Sequence, residues 1–593
     1  MGTLVTHSQQ CPGCPLLSCL PSADQAALVT ADSRSGWPGK EKPNLRADLS
    51  PDNTPVPGSI ICAIAVLFIA ILTFPLTLSA AERPPKHPFF ADSVYPIGHG
   101  DAAQQDALPV PGPINPGPVI APQLIDYAAS GPAQFGAYTS GPYPDGRRVL
   151  WANGLDRVVK IDYDTFEILA THWFDDVPRW TTADADSAIQ TFDSSNEGAG
   201  AIWHAFQEAA KLREIAGVYT LLDLDNTYYI ANKNGSITAY ADLNTGHPAS
   251  PIVEKRSFSL PAEVTGYTVG MNMTYDGWLI VPTEHGFLVA VSRDFEVAYT
   301  TRLQHSEDAE NKATRPTGYG WVRNSIAIDV DGGIYVASQD HLHKVIWTGA
   351  GFSHHPADGA WSTPYLNSWG HGTGATPSLM GFGEEDQFVV ITDGEPLMNV
   401  VLFWRNEIPD NWAGIPGLPR RIAGLQPADM GHPDLLQIQS EQAVVVAGYG
   451  AMVVNNEPRN IPWWLPEQAQ RLLISYLGSA PLYQPYGIQK FVWNPGNRRL
   501  EQAWVNNGVS SPSCVPVVSH ISDRVYLIGA RNNRWTLEAI DWQTGESAYH
   551  SIIGGQRYNP IYSGTLLDEA GRIHYGGPWG RIRLNIASES QRP

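Results

Sequence analysis

The stretch DGWLIVPTEHGFLVAVS, residues 276–292, runs through an acidic turn, a strand dense in apolar and β-branched residues, a Gly-closed turn and a second short strand. The same order opens again at Asp145, Asp225, Asp331, Asp386, Glu441, Asp523 and Glu569, and the openings Asp276, Asp331, Asp386 and Glu441 stand 55 residues apart. A fixed period of about 40–50 residues or slightly more, built from strands, marks a propeller of four-stranded blades. The expected fold class is therefore all-β. Eight hairpins imply eight blades, or seven if the first and last share the ring closure. Segments ahead of the acids, such as TVGMNMTY, NSIAIDV, TPSLMGF and VPVVSHI, are expected as inner strands.

Two intervals exceed the period, Asp145 to Asp225 and Glu441 to Asp523, and each contains an insertion. Residues 184–215 include IWHAFQEAAKLREI, an amphipathic helical pattern, and residues 455–487 include the Pro- and Trp-rich IPWWLPEQAQRLLISYL, read as a turn and a short helix. Such insertions sit on a propeller rim, where they shape a pocket or a partner site.

The N-terminus divides into three. Residues 1–58 are rich in Pro, Ser, Ala and Asp without apolar periodicity and are expected to be a disordered leader, or an over-extended gene start with Val56 as an alternative initiator. Residues 59–81 carry the apolar run from Ile60 to Leu78 and end in Ser79-Ala80-Ala81, as a secretory signal requires; an uncleaved membrane anchor is the alternative. Either way a periplasmic or secreted propeller is expected. Residues 82–144 are Pro- and Gly-rich and are expected to wrap an outer surface in extended form, with the propeller itself covering 145–593.

Net charge is −21, and the first 81 residues hold four basic and five acidic side chains, so the remainder keeps −20. Without a Lys/Arg cluster this excludes nucleic acid as a partner and favours cations or neutral small molecules, or a protein. Cys11, Cys14, Cys19 and Cys62 lie in or before the apolar run, which leaves Cys514 alone, expected as a small core residue rather than a catalytic thiol.

Several strings carry candidate chemistry. In Trp369-Gly370-His371-Gly372-Thr373-Gly374-Ala375-Thr376-Pro377 the glycines allow close backbone approach to a ligand, or else a tight blade-to-blade crossover. His371 is the candidate base or metal ligand there. Arg323 and Asn324, after Trp321, enter an inner strand and are candidates to orient a carboxylate or hydroxyl, against a plain strand-end ion pair. Asn196 and Glu197 in DSSNEGAG offer hard oxygens suited to Ca²⁺, against a solvated loop. His341 and His343 share a strand face, with His354 and His355 following, a Zn²⁺ or Cu²⁺ pattern placed away from the channel. No G-x-S-x-G elbow and no phosphate-loop ending is present.

The run Ala539-Ile540-Asp541-Trp542-Gln543-Thr544-Gly545, with Tyr549 in the Trp place, and the partial copies Asp242-Leu243-Asn244-Thr245-Gly246 and Asp162-Tyr163-Asp164-Thr165 resemble the blade-docking motif A-x-D-x-x-T-G-x-x-x-W of the quinoprotein, or pyrroloquinoline-quinone-like, eight-bladed propellers. The resemblance covers the blades, roughly 145–585. It implies a site on the channel axis and, in the family's dehydrogenases, a quinone over Ca²⁺. This chain lacks the adjacent cysteine pair those enzymes place over the quinone and the C-x-x-C-H haem attachment, so pyrroloquinoline quinone is not expected and the cofactor is left unassigned. Three readings stay open: an exported oxidoreductase or hydrolase with a small-molecule site in the channel, a non-catalytic binding or assembly module docking through IPWWLPEQ, and a quinoprotein without the vicinal disulfide.

Overall fold

The computed structural model describes residues 83–588 apart from 176, 213–217, 312–319 and 384–385. The leader, the apolar run with its signal-or-anchor reading, and Cys11, Cys14, Cys19 and Cys62 lie outside the described residues. Among the described residues no helix is long and apolar enough to cross a membrane.

Eight sheets with four-stranded antiparallel cores form the propeller. Their inner strands are short: Ala137–Thr139, Thr220–Leu222, Asn272–Met273, Ala327–Ile328, Ser378–Met380, Val445–Ala447, Val517–Ser519 and Leu566–Leu567, which define blades 1 to 8. Three further strands follow in chain order in blades 1–3 and 5–7, and in blade 4 the outer place is taken by two pieces, Phe352–Ser353 and Trp361–Pro364, both paired with His341–Trp347. Blade 8 has only two, Ile573–Gly576 and Arg581–Leu584, and takes its outer strand, Ile125–Ala128, from ahead of blade 1 in register Ile125↔Leu584 and Ala128↔Arg581. The ring is thus closed by hydrogen bonding between its two ends, which removes a free sheet edge.

One opening acid is out of register with the rest. Asp145, Asp225, Asp276, Asp331, Asp386, Asp523 and Glu569 lie between the first and second strands of their blades, but Glu441 precedes the inner strand of blade 6. The strings read there as second and third strands are the first and second, Val445–Ala447 and Gly450–Val454, and the third, Ile488–Asn494, follows the insertion. The insertion splits the blade, and a coincidental spacing of 55 hides the split.

Part of the Pro/Gly-rich segment runs as expected, with Pro118–Ile120 against Ile552 of the outermost strand of blade 7, and part departs from expectation. Residues 97–108 line the inside of the ring rather than its outer surface. Ile97 bridges Leu221 of blade 2; Ala102 and Ala103 accept from Ile328 and Leu379 of blades 4 and 5; Gln105 and Asp106 accept from Val446 and Val518 of blades 6 and 7. Asn272 of blade 3 donates its amide to Ala102 as well. Inner strands need partners for their open edges, and these carbonyls supply them blade by blade. Ala107–Leu108 then pairs parallel with Val517–Ser519.

The acidic turns dock blades. Trp347 Nε1 of blade 4 donates to Asp276 of blade 3 at 3.0 Å, and Trp493 Nε1 of blade 6 donates to Asp386 of blade 5 at 2.9 Å. A second device uses cations on third strands: Lys160 pairs with Asp242 of blade 2, Lys344 donates to Asn406 of blade 5 at 2.7 Å, and Lys490 donates to the Trp542 carbonyl of blade 7 at 2.6 Å. The docking-motif run behaves likewise. Asp541 Oδ1 accepts from the Gln543 and Thr544 amides, and Trp504 of blade 6 donates to the Trp542 carbonyl and packs under Gly545, where a Cβ would stand 2.4 Å from the indole. Trp493→Phe keeps an aromatic ring in this buried place but removes the pyrrole and its bond to Asp386, so a loss of about 2–3 kcal/mol in urea unfolding is expected, part from the bond and part from the space left.

In antiparallel blades the connections from second to third strand and from outer to next inner strand fall at one end. Helix α1 (Thr182–Ser194) and helix α2 (Gly198–Lys211) occupy the connection from blade 1 to blade 2, and helix α3 (Arg471–Leu477) occupies the insertion of blade 6, so all three gather at that end. Thr181 caps α1 in a reciprocal capping box with Asp184. The helices share a core with Phe192, Tyr476, Tyr483 and Trp579, and Phe192 stacks on Tyr476 at 5.5 Å.

Candidate functional site in the central channel

At the helix-bearing end, the loops entering the inner strands surround a cavity of about 160 Å³ on the axis. Its floor is the inward segment. His99 lines the cavity, and its Nδ1 lies 2.7 Å from Asp106 Oδ2. Burial alone would lower the His99 pKa, but the Asp106 carboxylate reverses this and the net direction is upward. Both residues hold left-handed backbone, φ 62° and 56°, as does Gln104 at 61°. Such non-Gly conformations cost about 1–3 kcal/mol each and concentrate at functional sites.

Arg323 and Asn324 line the wall. Arg323 donates to the His371 carbonyl at 3.1 Å and meets Glu441 Oε1 at 3.4 Å; Asn324 donates to the Thr373 carbonyl at 3.3 Å. Glu441 also receives Arg471 Nε at 3.3 Å, and Arg471 Nη1 reaches Glu457 at 3.3 Å, so an alternating chain of four charges ties the loop ahead of blade 4 to α3. Burial raises the Glu457 pKa, with Arg471 opposing.

His371 lies beside this wall, outside the cavity lining. Its ring stacks on Trp369 at 4.2 Å, and Nε2 is 3.6 Å from Glu467. Burial, then Arg323 and Arg471, lower its pKa to about 4, so it is neutral at pH 7. Gly370 and Gly372 have φ 84° and 70°, and a Cβ on Gly374 would stand 2.4 Å from the Ser440 carbonyl. These glycines are accounted for by the crossover between blades.

The other candidates lie elsewhere. Asn196 donates to Asn533 at 3.0 Å and Glu197 is the N-cap of α2, neither in the cavity lining. His341 meets Asp340 at 2.8 Å, His343 lies between Ser338 and Ser362 at 3.0 and 3.1 Å, and His354 meets Thr301 at 2.8 Å. Among the described residues no group of three or more His, Cys, Asp or Glu side chains is placed to hold a metal ion. Cys514 is buried with Sγ 2.8 Å from Thr565 Oγ1, and burial pushes its thiol up to about 12, a poor nucleophile.

Thr376, from the glycine-rich string, and three residues not singled out in the sequence, Arg581, Gln442 and Lys233, complete the wall. Arg581 is 1% exposed, and only Nη1 has a partner, the Gln134 carbonyl at 3.1 Å. Its Nε and Nη2, both polar ends of Gln442, and Thr376 Oγ1 are buried and unpartnered among the described residues. The one available signal was R-I-R-L at 581–584, whose alternation sets Arg581 and Arg583 on one face of a buried strand.

Burial, then Asp106, raises the Asp101 carboxyl to about 7. The folded state therefore holds a proton between about pH 4 and 7 that the unfolded state has released, so this group's contribution to stability falls as pH rises across that window. Asp101→Asn removes the effect. Its melting temperature relative to the parent protein is expected to be higher at pH 8 than at pH 5, which calorimetry at the two pH values checks.

No family model matches the chain. A protein of Archaeoglobus fulgidus described as uncharacterized is 32% identical over 517 residues, covering 85% of this chain and 89% of its own. Among solved structures the chain is similar to BamB from Moraxella catarrhalis (10% identity, 61% of this chain and 93% of that one, TM-score 0.32). It is similar too to the Cps50 (Swd1) β-propeller domain of Myceliophteria thermophila (9%, 60% and 91%, TM-score 0.33) and to the Dos1 propeller (8%, 80% and 94%, TM-score 0.40). The blade count comes from the sheets themselves. By its identity and coverage the chain belongs to the family of the Archaeoglobus fulgidus protein.

Proposed function

We propose that this protein is an exported propeller that holds a small polar molecule in the cavity on its axis, with the His99–Asp106 pair giving the site the proton-transfer chemistry of a hydrolase or oxidoreductase. The observation that carries the reading is the set of unpartnered polar atoms on Arg581, Gln442 and Thr376 around one cavity. Buried polar groups are ordinarily hydrogen-bonded, and a ligand in the cavity supplies the missing partners once these side chains turn towards it. A carboxylate-oriented imidazole facing that ligand is suited to general acid–base work. The donor set does not fit the Ca²⁺-bound quinone implied by the quinoprotein resemblance. The one carboxylate among the cavity-lining residues, Glu441, is already held by Arg323 and Arg471.

A thermal-shift screen of small polar metabolites against the full chain tests the reading. Ligands at about 100 times their dissociation constant stabilise by about 2.7 kcal/mol. A screen in which hits stabilise the parent protein and fail on Gln442→Leu supports the cavity; hits that ignore this substitution sink it. Export rests on residues 59–81 and is checked by N-terminal sequencing of protein from the host envelope.

One observation favours a second reading, docking of a protein through the blade 6 insertion. Trp463 is 95% exposed and Trp464 45%, while neighbouring Leu465 is buried against the helices. Loss of a co-purifying partner on Trp463→Ser, with small-molecule binding intact, supports it.

A further inference from the structure

We infer that the ligand of the channel cavity is a small carboxylate, and that the unpartnered edge of Arg581 is its anchor; this rests on the channel reading above. A guanidinium presents Nε–H and Nη2–H side by side, matching the two oxygens of a carboxylate. This protein uses that edge twice within itself. Arg531 Nε and Nη2 hold the two oxygens of Glu538, both at 2.8 Å, and Arg157 Nε and Nη2 hold those of Asp156, both at 2.7 Å. In Arg581 the same two nitrogens are the unpartnered ones.

Among the described residues no carboxylate pairs with Arg581. The groups acting on its charge are Tyr95, Tyr138 and Tyr228, and burial of Tyr138, with Thr220 opposing, keeps that phenol neutral. Arg405 also lacks a carboxylate, but it stacks over Phe382 at 4.8 Å and lies outside the cavity. Among the described residues the cavity wall carries Lys233, Arg323 and Arg581 against Glu441. In a chain of net charge −21 this is a local reversal of sign, and it runs against the cationic or neutral ligand that the overall charge suggests. Net charge describes the outer surface, whereas a narrow cavity responds to the groups that line it. About 160 Å³ is the space of roughly five waters, room for a small organic acid. The Arg581 nitrogens are sealed behind the wall, so binding includes a turn of the side chain towards the ligand.

The test is calorimetry and thermal shift on the full chain with acetate, lactate and benzoate, their matched amides acetamide, lactamide and benzamide, and inorganic phosphate. The expected result is binding of at least one carboxylate, no binding of its amide, and weakening by about 10- to 100-fold in Arg581→Gln, the loss of a charge-assisted pair. Arg581→Lys keeps the charge without the fork and is expected to fall between. If Arg581→Gln does not fold, discrimination between acid and amide by the parent protein still decides. Equal binding of acid and amide overturns the carboxylate inference and leaves the channel reading standing, as does binding of phosphate alone. Carboxylate binding that survives Arg581→Gln removes Arg581 as the anchor. No binding by any probe overturns the carboxylate inference, while hits confined to other compounds in the wider screen keep the channel reading.

Discussion

Replacing Arg471 with methionine is expected to cost about 3–5 kcal/mol, because it leaves buried carboxylates without their counter-charge. Arg471 is 8% exposed and lies between Glu441 and Glu457, themselves mostly buried. After the change Glu441 keeps Arg323, whereas Glu457 retains only the Gln437 amide at 3.0 Å. The stranded group is therefore Glu457, whose carboxyl burial already raises. The sign follows. An acid with a raised folded-state pKa favours the folded protein at low pH and penalises it as pH rises, so the deficit of Arg471→Met is expected to be larger at pH 8 than at pH 5. Adding Glu457→Gln removes the stranded charge and is expected to recover a good part of the loss. Urea unfolding of the single and double variants at the two pH values checks both statements. A single-variant deficit below 1 kcal/mol, or one that shrinks as pH rises, contradicts them. Because α3 is buried along its whole length and held to the wall through this side chain, weakened ligand binding should accompany the loss.

Seven of the eight hairpins were readable because alternation and turn chemistry are local. Blade 3 declares itself between Asp276 and Ser292 without reference to anything distant. Blade 6 was misplaced because the insertion parts its second and third strands by more than thirty residues, and no local signal says that Gly450–Val454 pairs with Ile488–Asn494. The floor of the channel was unreadable for a different reason. Residues 97–108 have no period to detect, since they meet the inner strands through single carbonyls on successive blades rather than as a ladder. The same holds for Ile125–Ala128, four residues of ordinary composition whose strand character comes entirely from Arg581–Leu584. Arg323 and Asn324 are legible as candidates because they precede a recognisable inner strand, and His371 because its glycines are unusual, although it lies outside the cavity lining. His99 and Asp106 carry no local signal, because their pairing depends on the left-handed backbone of a segment without periodicity, and Arg581 carries none because its one bond joins the two ends of the chain.

Arg583→Met is expected to be the other severe substitution, since one side chain there joins three parts of the ring. From the third strand of blade 8 its Nε donates to Asp126 Oδ2 at 2.7 Å on the closing strand. Its Nη1 and Nη2 donate to the Tyr163 and Asp164 carbonyls of blade 1 at 2.6 and 3.0 Å. Arg583 is 1% exposed, and methionine takes a donor from the partly buried Asp126 carboxylate and the stacking of the cation over Phe166 at 4.7 Å, while the Tyr163 carbonyl keeps Arg572 Nη2 at 2.9 Å and Asp164 is open to water; a buried group left without its donor costs about 1–3 kcal/mol. A loss of about 2–4 kcal/mol is expected, against a much smaller one for Arg147→Met, whose pair with Asp145 is half exposed on both sides. The position of the loss distinguishes it from general destabilisation. Blade 8 and blade 1 are the seam where the two ends of the chain meet, so hydrogen exchange in Arg583→Met should rise first in Ile125–Ala128 and Arg581–Leu584 while blades 3 to 5 stay protected. Uniform exchange around the ring would mean that closure is shared by all blade contacts. Exchange confined to the seam would mean that the propeller opens there, next to Arg581 and the wall of the cavity, and would make ring closure and ligand binding two readings of one strand.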